Sequence, residues 1–226
     1  MTLYLTRARI SRTAEESGLK SLFLPSGEKA EQAPDPLRRA LWTLFSDSPD
    51  RRRDFLWRVE ASGQIYTLSE RLPEDRHALF QLESKPFEPA LSAGDRLHFV
   101  LRVNATIDRA GEGPDRRVDI VMHALKHLPQ EERAAARMDV ANREGAAWLA
   151  RQGAKRGFEL EEVVADNYRA IFIPRNAGAR MKLGVTDMTG TLRVSDPAAF
   201  LATLAGGLGR ARSFGNGLML IRRARD

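Results

Sequence analysis

The chain has 226 residues, a hydrophobic fraction of 42%, no cysteine, and 36 Lys and Arg against 30 Asp and Glu, which gives a net charge of +6. This length suits one large or two small domains with a real core, and the lack of cysteine excludes disulfides, zinc–thiolate sites and thiol nucleophiles. No run approaches the ~20 apolar residues of a membrane span, and arginines come too early for a signal peptide, so we expect a cytoplasmic protein without a membrane partner.

The first 45 residues predict a strand, a loop and a helix. Residues 2–10 alternate apolar and polar side chains, as a strand does. Residues 13–34 are rich in Ser, Glu, Lys, Gly and Pro and predict an insertion or mobile loop with one apolar anchor, "LKSLFLP". Apolar residues at helical spacing predict a helix from Pro36 to about Phe45, with Asp35 as its N-cap.

The next segments complete a recognisable order of elements. Strand-like runs at 55–60 and 64–69 flank "ASG" and predict a tight hairpin. We expect a short helix in "EDRHALFQLE" (74–83) and a strand in "GDRLHFVLRVNAT" (94–106). Strand, helix, strand, strand, helix, strand is the ferredoxin-like pattern, a four-stranded antiparallel sheet with helices on one face.

The second half predicts a similar unit. Residues 108–117 have the turn formers and charges of a linker, so we divide the α+β chain into an N-terminal ferredoxin-like domain at 1–108 and a C-terminal one at 109–226. The expected elements are helices in 118–128 and 137–153, strand pairs in 157–175 and 181–196, a helix after the cap Asp196, and a last strand in 217–223.

The stretch "GGLGRARSFGNG" (206–217) lies between the last predicted helix and strand. It lacks the Lys-Ser/Thr ending and the strand-before-helix context of nucleotide loops, so we expect no nucleotide cofactor. The glycines alone fit a helix stop followed by a tight turn. Arg210 and Arg212, interleaved with Ser213 and with amides free to donate, favour the backbone of a polyanion.

This stretch resembles the C-terminal glycine-rich loop of the RNA endoribonucleases that process CRISPR transcripts, and other blocks are similar to the CasE family of type I-E systems. Those blocks are "RALWTLFSDSPDRRRDFLWRVE", "KPFEPALSAGDRLHFVLRVNAT", "AAWLARQGAKRGFEL" and "TGTLRVSDPAAF", in the family's order. The resemblance covers most of the chain, but residues 13–34 match only through "SLFLP".

The resemblance implies a fold and an activity. The fold is two tandem ferredoxin-like (RRM-like) domains, in agreement with the order of elements. The activity is binding of the CRISPR repeat hairpin and metal-independent cleavage at its 3′ base, where a 2′-hydroxyl attacks the adjacent phosphate to leave a cyclic phosphate. The implied partners are the CRISPR RNA repeat hairpin and the other Cascade subunits, especially the adjacent backbone subunit, with no cofactor.

The chain departs from the family at the catalytic position. The family's catalytic histidine lies four residues before the tryptophan of "LWTLF", and that position is Arg38 here; the tyrosine of some members is replaced by Asp35. Arginine keeps its proton, so Arg38 is neither acid nor base, although it can bind phosphate and stabilise charge. Two classes therefore stay open, a slow endoribonuclease and a module that only holds the hairpin. An unrelated RNA-binding protein of the same fold would need the ordered matches to be chance.

Further residues are expected at the RNA. Arg180 and Lys182 match a basic position that the family uses near the RNA, and Arg169 and Arg175 flank the preceding hairpin, although each alone also fits a solvated surface charge. With the glycine-rich stretch, the predicted RNA-binding set is Arg169, Arg175, Arg180, Lys182, Gly207, Gly209, Arg210, Arg212 and Ser213. His123 and His127 are four apart on a predicted helix, and without a third ligand they fit a solvated face better than a metal site.

Overall fold

The computed structural model of the protein describes residues 2–23, 34–48, 52–108, 117–174 and 180–224. Within these ranges the helices are α1 (Arg12–Glu16), α2 (Leu19–Phe23), α3 (Pro34–Trp42), α4 (Ile120–Leu125), α5 (Arg137–Gly153) and α6 (Pro197–Gly206). The strands are β1 (Tyr4–Ile10), β2 (Phe55–Val59), β3 (Ile65–Ser69), β4 (Phe80–Pro86), β5 (Arg96–Val103), β6 (Thr106–Asp108), β7 (Arg117–Asp119), β8 (Phe158–Pro174), β9 (Arg180–Val194) and β10 (Met219–Arg223).

Two four-stranded antiparallel sheets organise these elements. The first has the strand order β2-β3-β1-β4 and the second β10-β5-β9-β8, while β6 and β7 form a separate pair. Numbered within each sheet, both orders are 4-1-3-2, the ferredoxin-like arrangement. None of the helices in the described ranges combines the length and the apolar character needed to cross a bilayer. The predicted class, two tandem ferredoxin-like units of mixed helix and sheet, is confirmed.

The second sheet has the full set of ferredoxin-like elements, because α5 follows its first strand and α6 its third. Leu97, Phe99 and Leu101 of β5 belong to one buried cluster with Trp148 and Leu149 of α5. The predicted helix over 137–153 is confirmed, and so is α6, whose N-cap Asp196 accepts hydrogen bonds from two backbone amides of the first turn. Helices α5 and α6 therefore cover one face of this sheet.

The first sheet lacks the helix expected over 74–83, and that prediction is wrong. The carboxylate of Asp75 accepts the amides of His77 and Phe80 at 3.2 and 2.7 Å, which makes a turn instead. Phe80 then begins β4, which pairs antiparallel with β1. The apolar residues of this stretch therefore alternate along a strand rather than lining one side of a helix.

The strand predicted at 94–106 exists as β5, but it belongs to the second sheet and not to the first. It pairs with β9 on one side and β10 on the other. We therefore propose that the boundary between the two units lies between Pro86 and Arg96 rather than at residue 108. The expected linker also has paired flanks, since Asp108 lies opposite Arg117 in the β6–β7 pair, and residues 109–116 lie outside the described residues.

Each of the two segments expected as strand pairs is instead one long strand. β8 and β9 pair with each other from Phe158 opposite Val194 to Pro174 opposite Arg180, with irregularities after Leu160 and Ala165. β5 ends opposite Thr186. Beyond that point β8 and β9 continue as a two-stranded arm, called the β8–β9 arm below, which includes residues 169–174 and 180–185.

The N-terminal helices differ in detail from the prediction. α3 begins at Pro34, so Asp35 lies within the helix rather than at the N-cap position before it, and 3-10 hydrogen bonds continue the chain to Phe45. Part of the expected loop at 13–34 is helical, as α1 and α2, and its apolar anchor is confirmed by Phe23, which is buried against Phe80. Residues 24–33 lie outside the described residues.

The two sheets meet through the face of the first sheet opposite α3. Leu56 and Leu68 of that sheet form a buried cluster with Leu218, just before β10. A polar contact joins the same junction, since Arg102 of β5 donates a 2.7 Å hydrogen bond to the carbonyl of Val59. The junction fixes the C-terminal segment before β10 against the first sheet, and this segment includes the glycine-rich stretch.

Candidate nucleic-acid interface

Residues 207–217, called the glycine-rich loop below, pack against the edge strand β2. Gly207 and Gly215 both have positive φ angles, of 73° and 77°. A Cβ atom at Gly207 would lie 2.9 Å from both methyl groups of Leu56, and one at Gly215 would lie 3.0 Å from the indole of Trp57. Glycine is therefore required here because the backbone turns sharply and approaches the first sheet closely.

Asn104 joins this loop to the base of the β8–β9 arm. Its carbonyl accepts the amide of Arg210 at 3.1 Å, and its side-chain amide donates to the carbonyl of Gly184 at 2.7 Å. Gly209, with φ of 69°, is held against this contact, since a Cβ atom there would overlap a methyl group of Val103 and lie 2.8 Å from the carbonyl oxygen of Asn104. The structure thus explains Gly207 and Gly209 by backbone geometry, and their contact with RNA stays a prediction.

Arg38 of α3 faces the glycine-rich loop across the edge of the first sheet. Its guanidinium carbon is 5.7 Å from the centre of the Phe214 ring, a cation–π distance. The same short 3-10 helix, Arg212–Phe214, is held from β2, because the indole of Trp57 donates to the carbonyl of Ser213 at 3.3 Å. Arg38 and Ser213, chosen separately from the sequence, are therefore neighbours in space.

Arg53, which the sequence patterns did not single out, is a further cation at this place. It lies two residues before β2, its Nη1 atom is buried, and that atom has no hydrogen-bond partner among the described residues. Burial lowers the pKa of Arg53, and the positive charge of Arg212 lowers it further, so the two guanidinium groups are close. The only signal in the sequence was its place in the run "RRRDFLW", just before a strand.

The outer side of the loop presents donors to solvent. The side chains of Arg210 and Arg212 are exposed, and Arg212 donates to the carbonyl of Gly206 at the end of α6. Within the described part of the chain, the backbone amides of Ala211, Arg212 and Ser213 donate no hydrogen bond. Two exposed guanidinium groups beside free amides can bind the oxygens of a phosphate.

The β8–β9 arm contains the remaining predicted RNA contacts, in different settings. The side chain of Lys182 is exposed, and its charge acts on Asp119. Arg180 is paired with Pro174 at the outer end of the arm, and Arg175 lies outside the described residues. These positions share one two-stranded ribbon.

Arg169, at the base of the arm, has a structural partner. It donates to Asp187 Oδ2 at 2.7 Å, while Arg102 donates to Oδ1 of the same carboxylate at 2.6 Å. Burial alone would raise the pKa of Asp187, but the hydrogen bonds and charges of Arg102 and then Arg169 outweigh it and hold that pKa below its usual value. A single carboxylate shared by two guanidinium groups leaves positive charge at the base of the arm.

The structure therefore brings three parts of the chain together: Arg38 of α3, the glycine-rich loop, and the base of the β8–β9 arm. The first contact runs through Phe214 and the second through Asn104. His123 and His127 pack edge to face with ring centres 5.3 Å apart, and among the described residues no three His, Cys, Asp or Glu side chains are placed to share a metal.

Comparison with known proteins finds relatives that are CRISPR-associated proteins. A model of the family described as CRISPR associated protein matches residues 3–223. The CRISPR-associated endoribonuclease Cse3 of Thermus thermophilus is 30% identical over 211 residues, which cover 83% of this chain and 89% of the relative. The CRISPR system Cascade subunit CasE of Escherichia coli K12 is 25% identical over 197 residues, which cover 81% of this chain and 88% of the relative.

Solved structures agree in fold. A structure of the CRISPR endoribonuclease Cse3 bound to a 19-nt RNA is 25% identical, with a TM-score of 0.69 over 98% of this chain and 100% of that chain. The crystal structure of Cas6e from Escherichia coli K-12 is 22% identical, with a TM-score of 0.61 over 98% of this chain and 100% of that chain. The alignments span both sheets, so the similarity extends over the whole two-unit arrangement.

Proposed function

Because the chain belongs to the CasE family of CRISPR-associated proteins, we propose that it is an endoribonuclease that binds the hairpin of a CRISPR repeat and cuts precursor CRISPR RNA at the 3′ base of that hairpin. It acts in the cytoplasm and stays on the product hairpin as a subunit of a Cascade complex, beside the backbone subunit. One relative, CasE of Escherichia coli, is named as a Cascade subunit, and another, Cse3 of Thermus thermophilus, as an endoribonuclease, which supports both parts of the proposal.

One observation carries the assignment of the site. Arg38, at the position where the family carries its histidine, faces the aromatic ring of Phe214 in the glycine-rich loop, whose outer side presents Arg210 and Arg212. A hairpin held on the loop and on the β8–β9 arm would thus have the phosphate at its 3′ base beside the guanidinium of Arg38. RNA stems are recognised mainly through phosphates and shape, which suits a surface of arginines and backbone amides.

The reaction needs no metal in this proposal. The 2′-oxygen forms a bond to the adjacent phosphorus, the bond from phosphorus to the 5′-oxygen breaks, and the products carry a 2′,3′-cyclic phosphate and a 5′-hydroxyl. The 2′-hydroxyl loses its proton to solvent, and the leaving 5′-oxygen takes one from solvent. Arg38 keeps its proton and stabilises the negative charge of the phosphorane, as does Arg53 if the phosphate enters between them.

The experiment is a cleavage assay on the purified protein with its repeat hairpin in the presence of EDTA, resolved on a gel. We expect a slow cut at the 3′ base of the hairpin. A matched RNA with a 2′-deoxy nucleotide at the cut is expected to bind equally well and to stay intact, since it lacks the attacking oxygen. Cutting of the deoxy RNA, or cutting only with added metal, would contradict the mechanism.

The second candidate, a module that holds the guide RNA hairpin without cutting it, rests on Arg38 itself. Proton transfer contributes ~10²- to 10⁴-fold to such reactions, and an arginine does not supply it at neutral pH. Tight binding of the hairpin with no cleavage, even after long incubation with excess protein, would establish this candidate.

A further inference from the structure

A polar cleft of about 490 Å³ opens where the turn between β2 and β3 meets α1, on the first sheet. Its lining includes three cations, Arg9, Arg12 and Lys20, and among the described residues that line it Glu15 has the only carboxylate. Lys20 and Glu15 form an ion pair at 2.7 Å. Because this pair is neutral, Arg9 and Arg12 determine the net charge of the cleft.

Neither arginine is neutralised by a carboxylate in the described part of the chain. Arg9 donates through Nε to the side-chain oxygen of Gln64 at 2.7 Å, and Gln64, which is buried, donates in turn to the carbonyl of Ala8 at 2.7 Å. This neutral amide fixes the orientation of the Arg9 guanidinium without cancelling its charge. Arg12, exposed at the start of α1, forms no hydrogen bond or ion pair through its side chain within the described ranges. A fixed guanidinium beside a free one suits a phosphate.

A row of arginines connects this cleft to the base of the β8–β9 arm. Arg169 and Arg102 share the carboxylate of Asp187, and Arg102 also reaches the carbonyl of Val59 in β2. Arg58, the residue before Val59, is the next arginine of this row; it is buried and forms a 2.7 Å ion pair with Glu60.

The row ends at the cleft. The amide of Glu60 donates to the carbonyl of Gln64 at 2.8 Å, and Gln64 holds Arg9. Four arginines against two carboxylates therefore run from the arm to the cleft, so the positive potential does not stop at the site assigned to the hairpin.

We propose that this cleft binds a backbone phosphate of single-stranded RNA that flanks the hairpin. The inference rests on the proposed function, because it needs a hairpin held on the arm and the glycine-rich loop. A rigid RNA stem presents its phosphates along a wide cylinder and does not enter a cleft bounded by a turn and a helix, whereas a flexible single strand does. The cleft thus extends the RNA path beyond the stem.

The test compares RNAs that differ only in their flanks. The hairpin alone and hairpins with a short single-stranded extension on the 5′ or the 3′ side, all with a 2′-deoxy nucleotide at the cut, are titrated by fluorescence anisotropy at several salt concentrations. The proteins are the wild type, Arg12→Ala, Arg9→Ala/Arg12→Ala, and the control Arg76→Ala/Arg143→Ala. The control removes the same charge from two exposed arginines that pair locally with Glu74 and Glu144.

We expect one of the extensions to tighten binding by the wild type and to steepen its salt dependence by about 0.7 in the logarithmic slope for each phosphate bound. The double variant loses this increment and keeps its affinity for the bare hairpin, which also shows that it is folded, while the control keeps both. Arg12→Ala loses part of the increment.

If neither extension tightens binding by the wild type, or if the increment survives in Arg9→Ala/Arg12→Ala, the inference is overturned and the proposed function stays intact. A wild type that fails to bind the bare hairpin overturns the proposed function, and the inference with it.

Discussion

The guanidinium carbon of Arg38 lies 5.7 Å from the centre of the Phe214 ring, so a helix of the first unit and the glycine-rich loop of the second meet at one point. Neither residue belongs to the junction that packs the two sheets together, which uses Leu56, Leu68 and Leu218. The contact therefore places a cation beside the loop, at the position where the resemblance to the CasE family implies a histidine.

We predict that Arg38→His increases single-turnover cleavage of the repeat hairpin. If proton transfer is the only missing element, the increase falls in the range of ~10²- to 10⁴-fold that general acid–base catalysis provides. Binding should change little, because the substitution leaves the loop and the arm intact. Rates are measured with protein in excess over labelled RNA.

Two other substitutions make this prediction specific. Arg39→His, on the exposed side of the same helix, adds a histidine away from Phe214 and should leave the rate unchanged. Arg38→Ala should lower the rate through lost stabilisation of the phosphorane. If Arg38→His changes little while Arg38→Ala slows the reaction, catalysis resides in other residues; if neither the wild type nor Arg38→His cuts a hairpin that both bind tightly, the endoribonuclease assignment fails.

The salt dependence of hairpin binding should reveal the role of the glycine-rich loop. Each neutralised phosphate contributes roughly 0.7 to 0.9 to the slope of log affinity against log salt, so Arg210→Ala/Arg212→Ala should flatten the slope by up to about 2. Arg76→Ala/Arg143→Ala removes equal charge elsewhere and should leave the slope unchanged. An unchanged slope in the loop variant would remove Arg210 and Arg212 from the RNA interface.

The free energy of unfolding should distinguish two effects of replacing a glycine, the strain of a positive φ angle and the crowding of an added Cβ atom. Gly209 and Gly94 both have positive φ, but a Cβ atom would overlap Val103 at Gly209 and would meet nothing within 4 Å at Gly94. Gly209→Ala should therefore lower the free energy of unfolding by about 1–3 kcal/mol more than Gly94→Ala, the usual effect of overpacking. Urea unfolding followed by circular dichroism measures both. Equal losses of unfolding free energy in the two variants would mean that the glycine-rich loop shifts to accommodate the Cβ atom at no measurable cost.

Asp187 should make a stability contribution that depends on pH. Asp187→Asn leaves Arg102 and Arg169 without their shared carboxylate, and since the site is partly solvated we expect a loss somewhat below the ~3–5 kcal/mol typical of a fully buried pair. Because the folded-state pKa of Asp187 lies below its unfolded value, near ~3.9, the stabilisation is present above about pH 4 and is lost as the pH falls through the folded pKa.

Urea unfolding of the wild type and Asp187→Asn between pH 7 and pH 3 checks this. The difference in stability should narrow at the acid end. Glu83→Gln is the control, since it removes a carboxylate from an exposed ion pair with Arg7, where the expected change is only ~0–1 kcal/mol. A difference in unfolding free energy between the wild type and Asp187→Asn that stays constant with pH would show that the ionised carboxylate does not stabilise the fold.

The sequence was informative where local signals decide the structure. Asp196 and Pro197 predicted the start of α6 correctly, and the alternation of β1 and of the β2–β3 hairpin also predicted their strands. The helix expected around Phe80 was wrong, although residues 74–83 include good helix formers. The side chain of Asp75 holds a turn there, and β1 supplies the hydrogen bonds of a strand. Pairing across the chain overrode local propensity there.

The candidate site was harder to predict from the sequence than the fold. Arg38 and Ser213 were named from separate motifs, but that they meet depends on how β2 docks against the loop, which no spacing encodes. Arg53 was missed for the same reason, since burial and the nearness of Arg212 are properties of the folded chain. The role of Arg169 in holding Asp187 likewise required the register between β8 and β9.

The placement of β5 between β9 and β10 has a consequence for synthesis on the ribosome. The first sheet is complete once Pro86 has been made, but Leu101 waits for Met188 on one side and for Met219 on the other. During translation β5 therefore emerges with both hydrogen-bonding edges open and with Leu97 and Phe99 uncovered, a condition that invites pairing with neighbouring nascent chains. Chains that stall before residue 219 should aggregate rather than accumulate as partly active protein.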